Sequence, residues 1–472
     1  MSKEITMKII KRFTVFFTLL LTAVLAFSFT GCSAEMKDSF APSGGSSGSS
    51  GGHYDSDSSE SWDSGWDADP SAPESGYDGE YADKGDSEKG DPADDKGADK
   101  DGEGSGNQQK PVVKQLTAAE WRDALNYDFW LDLFKKDIPF KGQDGKEITK
   151  NAIFSEFKTA TRGLETFEMH EVYVTCDDNP VVGASVSLYD ESEVIYSAVT
   201  DSTGTAYVFG DGERVEATSG KYSASAEVIE GVTEISLTSY KACDDELEIM
   251  FVVDTTGSMG DELEFLCDEL AGIVERVSSS LDCTIRLGLI FYRDQGDAYV
   301  TRNFDFVEVN SSKGLNKVIK NIKAQSSSGG GDYPEAVDRA LKQAVNADWD
   351  KNSKTKLLFH VLDAPYHDEQ ENQSVFANAV SKAAQQGIRI IPVAASGFDT
   401  LGQYIMRSAA LLTGGTYTFL TDDSGIGFSH ELPAVGEFTV EYLSDLMVRL
   451  IKGYYTGVFE EPVPWHQSQD VQ

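Results

Sequence analysis

Three oxygen-bearing side chains, Asp254, Thr256 and Ser258, stand at alternate positions where a near-continuous apolar run, Leu247 to Val253, comes to an end. Alternate residues of an extended segment point to one side, so the three oxygens can converge on one point. Hard cations such as Mg²⁺ take oxygen ligands. The chemistry this triplet offers is therefore a divalent-cation site. Gly257 lets the backbone turn tightly between the two hydroxyl residues. The competing reading is an ordinary polar turn, for which Asp, Ser and Gly are common residues.

Two further stretches carry similar residues. Ser326-Ser327-Ser328-Gly329-Gly330-Gly331-Asp332-Tyr333-Pro334-Glu335 lets the chain approach a ligand closely, and Pro334 suits the first turn of a helix. Asp332 then either caps that helix or faces a ligand. Lys356 to Leu362 is a second apolar run, closed by Asp363 and followed by Ala364-Pro365-Tyr366-His367. His367 reads first as a loop hydrogen-bonding residue, with contact to a ligand or metal as the alternative.

The triplet resembles the metal-ion-dependent adhesion site of von Willebrand factor A domains, whose first loop reads Asp-x-Ser/Thr-x-Ser. The three motifs occur in that family's order, and the resemblance covers residues 244–455. It implies that Asp332 stands nearest the place of the family's second-loop Thr. It also implies that Asp363 is the third-loop Asp that reaches the metal through water. Gly-Gly-Gly-Asp-x-Pro-Glu and Asp-Ala-Pro-x-His resemble a hemicentin-like branch. Gly414-Gly415-Thr416-Tyr417 resembles the entrance to the final strand, and Asp422 and Asp423 beyond it offer a second cation site. The implied metal set is Asp254, Thr256, Ser258, Asp332 and Asp363 around Mg²⁺ or Mn²⁺. One coordination position would be left for an Asp or Glu carboxylate of a protein partner, and the implied role is adhesion or protein–protein interaction.

The elements that must position these residues read as α/β. Strands are expected at 247–253, 284–292, 299–306, 356–362, 388–394 and 416–420, with helices near 261–279, 312–324, 334–347, 374–386, 400–412 and 438–452. Such alternation predicts a doubly wound, mostly parallel, Rossmann-like sheet, and ligands bind beyond the carboxyl ends of its strands. The 299–306 strand follows too closely for a crossover helix and should be an antiparallel edge.

Upstream, residues 168–243 alternate and turn like a small β-sandwich. Ala184 to Tyr189 and Val199-Thr200-Asp201-Ser202-Thr203-Gly204-Thr205-Ala206 resemble transthyretin-like or collagen-binding-B-like modules. Some of those carry an isopeptide bond; Lys221 is a candidate donor without a convincing partner set. Residues 111–167 are expected to open with a helix capped by Thr117 and Glu120 and to dock an aromatic cluster, Trp121, Tyr127, Phe129, Trp130 and Phe134, on a neighbouring domain. Residues 33–110, rich in Gly, Ser and Asp, read as a disordered stalk. Residues 456–472 read as a tail.

The N-terminus, residues 1–32, reads as a lipoprotein signal. Lys8, Lys11 and Arg12 precede an apolar run from Phe13 to Phe29, and Thr30-Gly31-Cys32 resembles a lipobox that lipidates Cys32. An uncleaved anchor is the alternative; either places the bulk of the chain outside the cytoplasmic membrane as a cell-surface protein. The 79 acidic against 40 basic side chains, a net charge of −39, argue against nucleic acid, which needs a basic footprint. Cys176, Cys243, Cys267 and Cys283 match no metal spacing, and their pairing stays open. An enzyme of the haloacid-dehalogenase-like type would need a second Asp where Thr256 stands, so no enzymatic activity is expected. A third reading is a structural envelope-assembly protein that binds no metal.

Overall fold

The structure, a computed structural model, describes residues 115–141, 147–150, 152–260, 262–426, 430 and 433–468. The leader with Cys32, the stalk and Asp261 lie outside the described residues.

The described chain begins with β1 (Thr117–Trp121), α1 (Tyr127–Asp132), β2 (Ile138–Lys141) and β3 (Glu147–Lys150). The helix expected at Thr117 is instead a strand. Its capping pattern is local, whereas Thr117, Ala118 and Ala119 are buried and find partners across the fold. Thr117 Oγ1 donates to the Thr421 carbonyl (3.1 Å) and accepts from the Thr421 hydroxyl (2.8 Å). Long-range pairing outweighs a helix propensity of tenths of a kcal/mol per residue.

A β-sandwich follows. Strands β4 (Met169–Cys176), β5 (Asn179–Pro180), β6 (Ser185–Asp190), β7 (Glu193–Val199), β8 (Thr205–Phe209), β9 (Arg214–Ser219), β10 (Tyr222–Glu227) and β11 (Val232–Ser236) make it up. One sheet runs β10-β9-β6-β7; the other places β11, β5 and β8 around β4. Inward-facing Val172, Val174, Val186, Leu188, Val208 and Val215 fill the space between them. Among the described residues Cys176, Cys243, Cys267 and Cys283 are free thiols.

The remaining elements are β12 (Asp244–Asp254), α2 (Leu263–Ser280), β13 (Thr284–Tyr292), β14 (Thr301–Glu308), α3 (Ser312–Lys323), α4 (Val337–Val345), β15 (Ser353–Leu362), α5 (Gln370–Gln386), β16 (Ile388–Ala394), α6 (Thr400–Thr413), β17 (Tyr417–Thr421), β18 (Glu441–Tyr442) and α7 (Leu443–Thr456). They form an eight-stranded sheet in the order β14-β13-β12-β15-β16-β17-β1-β18, with β12, β13, β15, β16 and β17 parallel. β14 is antiparallel to β13, as its short connection requires. Two apolar layers cover the sheet. One gathers Met250, Val252, Leu358, Ile390 and α6; the other gathers Ile249, Phe251, Phe359, α2 and α7.

Because β1 pairs with both β17 and β18, the α/β sheet is built from two stretches of chain, and the sandwich is inserted between them. Trp130 and Phe134 of the aromatic cluster pack against Tyr404 of α6, with ring centroids 6.4 and 6.2 Å away, and Phe157 stacks on the same ring at 4.1 Å. Trp465, within the stretch read as a tail, returns to the sheet edge, where its N donates to the Val440 carbonyl (2.9 Å).

Candidate metal centre

Strand β12 sits between β13 and β15 and carries Asp254 to the carboxyl edge of the sheet beside Tyr292. Asp254 is fully buried. Its Oδ1 accepts from the Thr256 amide (2.8 Å) and the Thr256 hydroxyl (2.7 Å). Thr256 Oγ1 lies 3.2 Å from Ser258 Oγ. The three oxygens thus form a chain from a buried carboxylate to an exposed hydroxyl. Oδ2 of Asp254 is buried without a partner at full hydrogen-bond geometry, and the buried Tyr292 hydroxyl beside the carboxylate favours its charged form.

The glycine loop packs on this turn. Gly257 N donates to the Gly329 carbonyl (3.0 Å) and Ser328 N to the Thr255 carbonyl (3.0 Å). At Gly330, with φ +70°, a Cβ would lie 2.7 Å from Glu335 Oε1 and 3.2 Å from Thr256 Cβ. A side chain there would both strain the backbone and fill the space between the acid and the hydroxyl.

Glu335 enters the site from the far side of that loop. It is buried, and its Oε2 has no hydrogen-bond partner. Its backbone bridges to Tyr366, with Glu335 N donating to the Pro365 carbonyl (2.9 Å). Burial pushes its carboxyl up to about 9, helped by the charges of Asp254, Asp294, Asp363 and Asp297. Burial and then Asp363 raise Asp254 in the same way. Like charges gathered in a desolvated pocket resist ionisation until a cation neutralises them.

Of the residues read from sequence, Asp254, Thr256 and Ser258 touch one another, and Asp363, buried past the end of β15, acts on Asp254 through its charge. Asp332 is exposed. It is not among the leading charges that raise Asp254 or Glu335, and it does not cap a helix, because α4 starts at Val337 after Ala336. Glu335 was hidden by the helix expected from Pro334, which turned it into a first-turn helix residue.

Asp294 and Asp297, also missed, follow the end of β13. The signal was there: an acid just past an apolar strand. Asp297 Oδ2 accepts from Gly330 N (2.9 Å), which fixes the glycine loop. His367 Nε2 lies 2.8 Å from Asp294 Oδ1, a hydrogen-bonding role. Asp422, read as half of a second cation site, instead holds the His430 ring (2.7 Å) and amide (2.9 Å).

Among the described residues, no three His, Cys, Asp or Glu side chains converge closely enough to hold an ion by themselves. A cation at Asp254 would draw on the Thr256 and Ser258 hydroxyls and on water. That donor set of hard oxygens suits Mg²⁺ or Mn²⁺.

Residues 248–392 match a family model described as the von Willebrand factor A domain. One curated relative, named as an ariadne-like RING finger protein of Acanthamoeba polyphaga mimivirus, is 28% identical over 191 residues, covering 37% of this chain and 18% of the relative. The chain therefore spans less than a fifth of that relative's length. Two solved structures are similar over part of the chain. The BatB protein from Bacteroides thetaiotaomicron is 12% identical, with a TM-score of 0.30, over 44% of this chain and 98% of that one. An aerotolerance-related membrane protein from Bacteroides fragilis is 10% identical, with a TM-score of 0.28, over 45% of this chain and 100% of that one.

Proposed function

For a chain that carries a von Willebrand factor A domain at residues 248–392, we propose divalent-cation-dependent protein binding, of the adhesion type, at the carboxyl edge of the sheet. The observation that carries this reading is the Asp254 carboxylate, fully buried with no cationic side chain paired to it among the described residues, whose Oδ1 organises Thr256 and, through it, Ser258. A buried carboxylate without a counter-charge is costly. A bound cation is the counter-charge that this geometry and its hard-oxygen surroundings support.

In this reading Asp254, Thr256 and Ser258 hold Mg²⁺ or Mn²⁺, Asp363 and Glu335 supply negative charge from behind it, and Asp332 takes no part. The exposed Ser258 side is where an Asp or Glu carboxylate of a partner would complete the coordination shell. We place the chain at the cell surface, anchored through Cys32, and assign it no enzymatic activity, since Thr256 stands where a phosphohydrolase would need its second acid.

An array of peptides bearing single Asp or Glu side chains tests the reading. Retention in Mg²⁺ that is lost with EDTA and lost in Ser258→Ala is expected. Retention indifferent to both would overturn it.

A further inference from the structure

One cavity is set away from the candidate metal centre. It lies at the opposite, amino-terminal edge of the sheet, where the starts of β15 and β16 meet the β7–β8 turn of the sandwich. Its volume is about 530 Å³, within the range of small-molecule sites. Its walls are half apolar, with Val199, Ala347, Trp349 and Tyr454, and otherwise polar.

Four cationic side chains, Lys351, Lys354, Lys356 and Arg389, line it against two carboxylates, Asp201 and Asp348. In a chain of net charge −39 this surplus stands out. Lys356 and Arg389 are more than nine-tenths buried, at 7% and 6% exposure. Neither is ion-paired to a carboxylate among the described residues. Lys356 Nζ donates to the Gln386 carbonyl (3.2 Å); Arg389 donates to the carbonyls of Thr413 (2.7 Å) and Val199 (2.6 Å).

Two of those carbonyls close helices α5 and α6, whose partial negative ends, about half a charge each, offset some of the surplus but not all of it. Both side chains keep donors to spare, since an ammonium has three and a guanidinium five. Of the nearby acids two are already engaged, and Asp348 remains as a negative charge against the four cations. Asp201 Oδ1 accepts from Thr203 N, Thr203 Oγ1 and Thr205 N. Glu248, which acts on Lys356 from outside the cavity, is held by Arg286, Ser353 and Asp350 N.

We infer that this cavity binds a small organic phosphate. Its phosphate sits against Lys356 and Arg389, its body lies against Trp349 and Val199, and Lys351 and Lys354 guard the mouth. A phosphomonoester carries about −1.5 to −2 charge at neutral pH and three acceptor oxygens. That matches two desolvated cations with unused donors. The apolar wall selects an organic body over the bare ion.

The test titrates adenosine 5′-monophosphate, inorganic phosphate and succinate into the full chain at low salt and follows alkylation of Cys243, which lines the cavity, by mass spectrometry. Saturable binding of the nucleotide is expected, with Cys243 protected and Cys283 unaffected. Lys356→Met should weaken binding about tenfold, the worth of one charged hydrogen bond. Lys351→Glu, at an exposed position that leaves the fold intact, should weaken it about threefold. Three results would overturn the inference: no saturable binding of the nucleotide, unchanged affinity in both variants, or equal affinity for inorganic phosphate or succinate.

Discussion

At the level of single residues, the site rests on the contrast between two acids three positions apart. Glu335 is buried in the field of Asp254, Asp294, Asp363 and Asp297, and Asp332 is exposed outside it. Glu335→Ala should therefore weaken Mn²⁺ binding about tenfold or more, whereas Asp332→Ala should change it less than about twofold, because an exposed charge is screened by water. Calorimetric titration of both variants decides this, and the reverse order would place Asp332 at the metal. Asp254 and Thr256 were legible in the sequence because the apolar strand runs out at them, whereas Ser258 reaches Thr256 from the helical turn Gly257–Met259 rather than by strand alternation. Glu335 was not, because three glycines in a row let the backbone take conformations that no side-chain pattern records, with φ +81° and +70° at Gly329 and Gly330.

At the level of elements, the parallel sheet could be read because its strands are buried on both faces and so appear as apolar runs. β1 could not. Its five residues carry a helix-capping pattern, and its strand character comes from β17 and β18, some 300 residues away in sequence. What secures that return is a buried ion pair just after β1. Arg407 of α6 donates from Nε (2.9 Å) and Nη2 (2.6 Å) to Asp123, and from Nη1 to the Ala434 carbonyl (2.6 Å), under the rings of Trp130, Phe154 and Tyr417. Asp123→Ala leaves the guanidinium buried and unpaired, which should lower unfolding free energy by about 3–5 kcal/mol. Urea denaturation measures it. A loss below about 1 kcal/mol would mean that the strand is held by its backbone ladder alone.

For the whole molecule, acidity sets the response to pH. Burial is the first cause that raises Glu248 and Glu269 to about 7 and Glu335 to about 9, from an ordinary 4.5. The folded state holds these protons more tightly than the unfolded chain. Their contribution to stability is therefore full below about pH 4.5 and is lost as pH rises through 7 and then 9. With chelator present, Tm should fall between about pH 5 and pH 9, and millimolar Mg²⁺ should recover the part that belongs to Glu335 and Asp254. A Tm that rises across this window would contradict the charge picture. The central claim, that Asp254 anchors a cation, is tested most directly by titrating Mn²⁺ calorimetrically into the full chain beside Asp254→Ala. One saturable site present in the wild type and absent from the variant is the predicted result; equal binding by both proteins, or none by either, would contradict it.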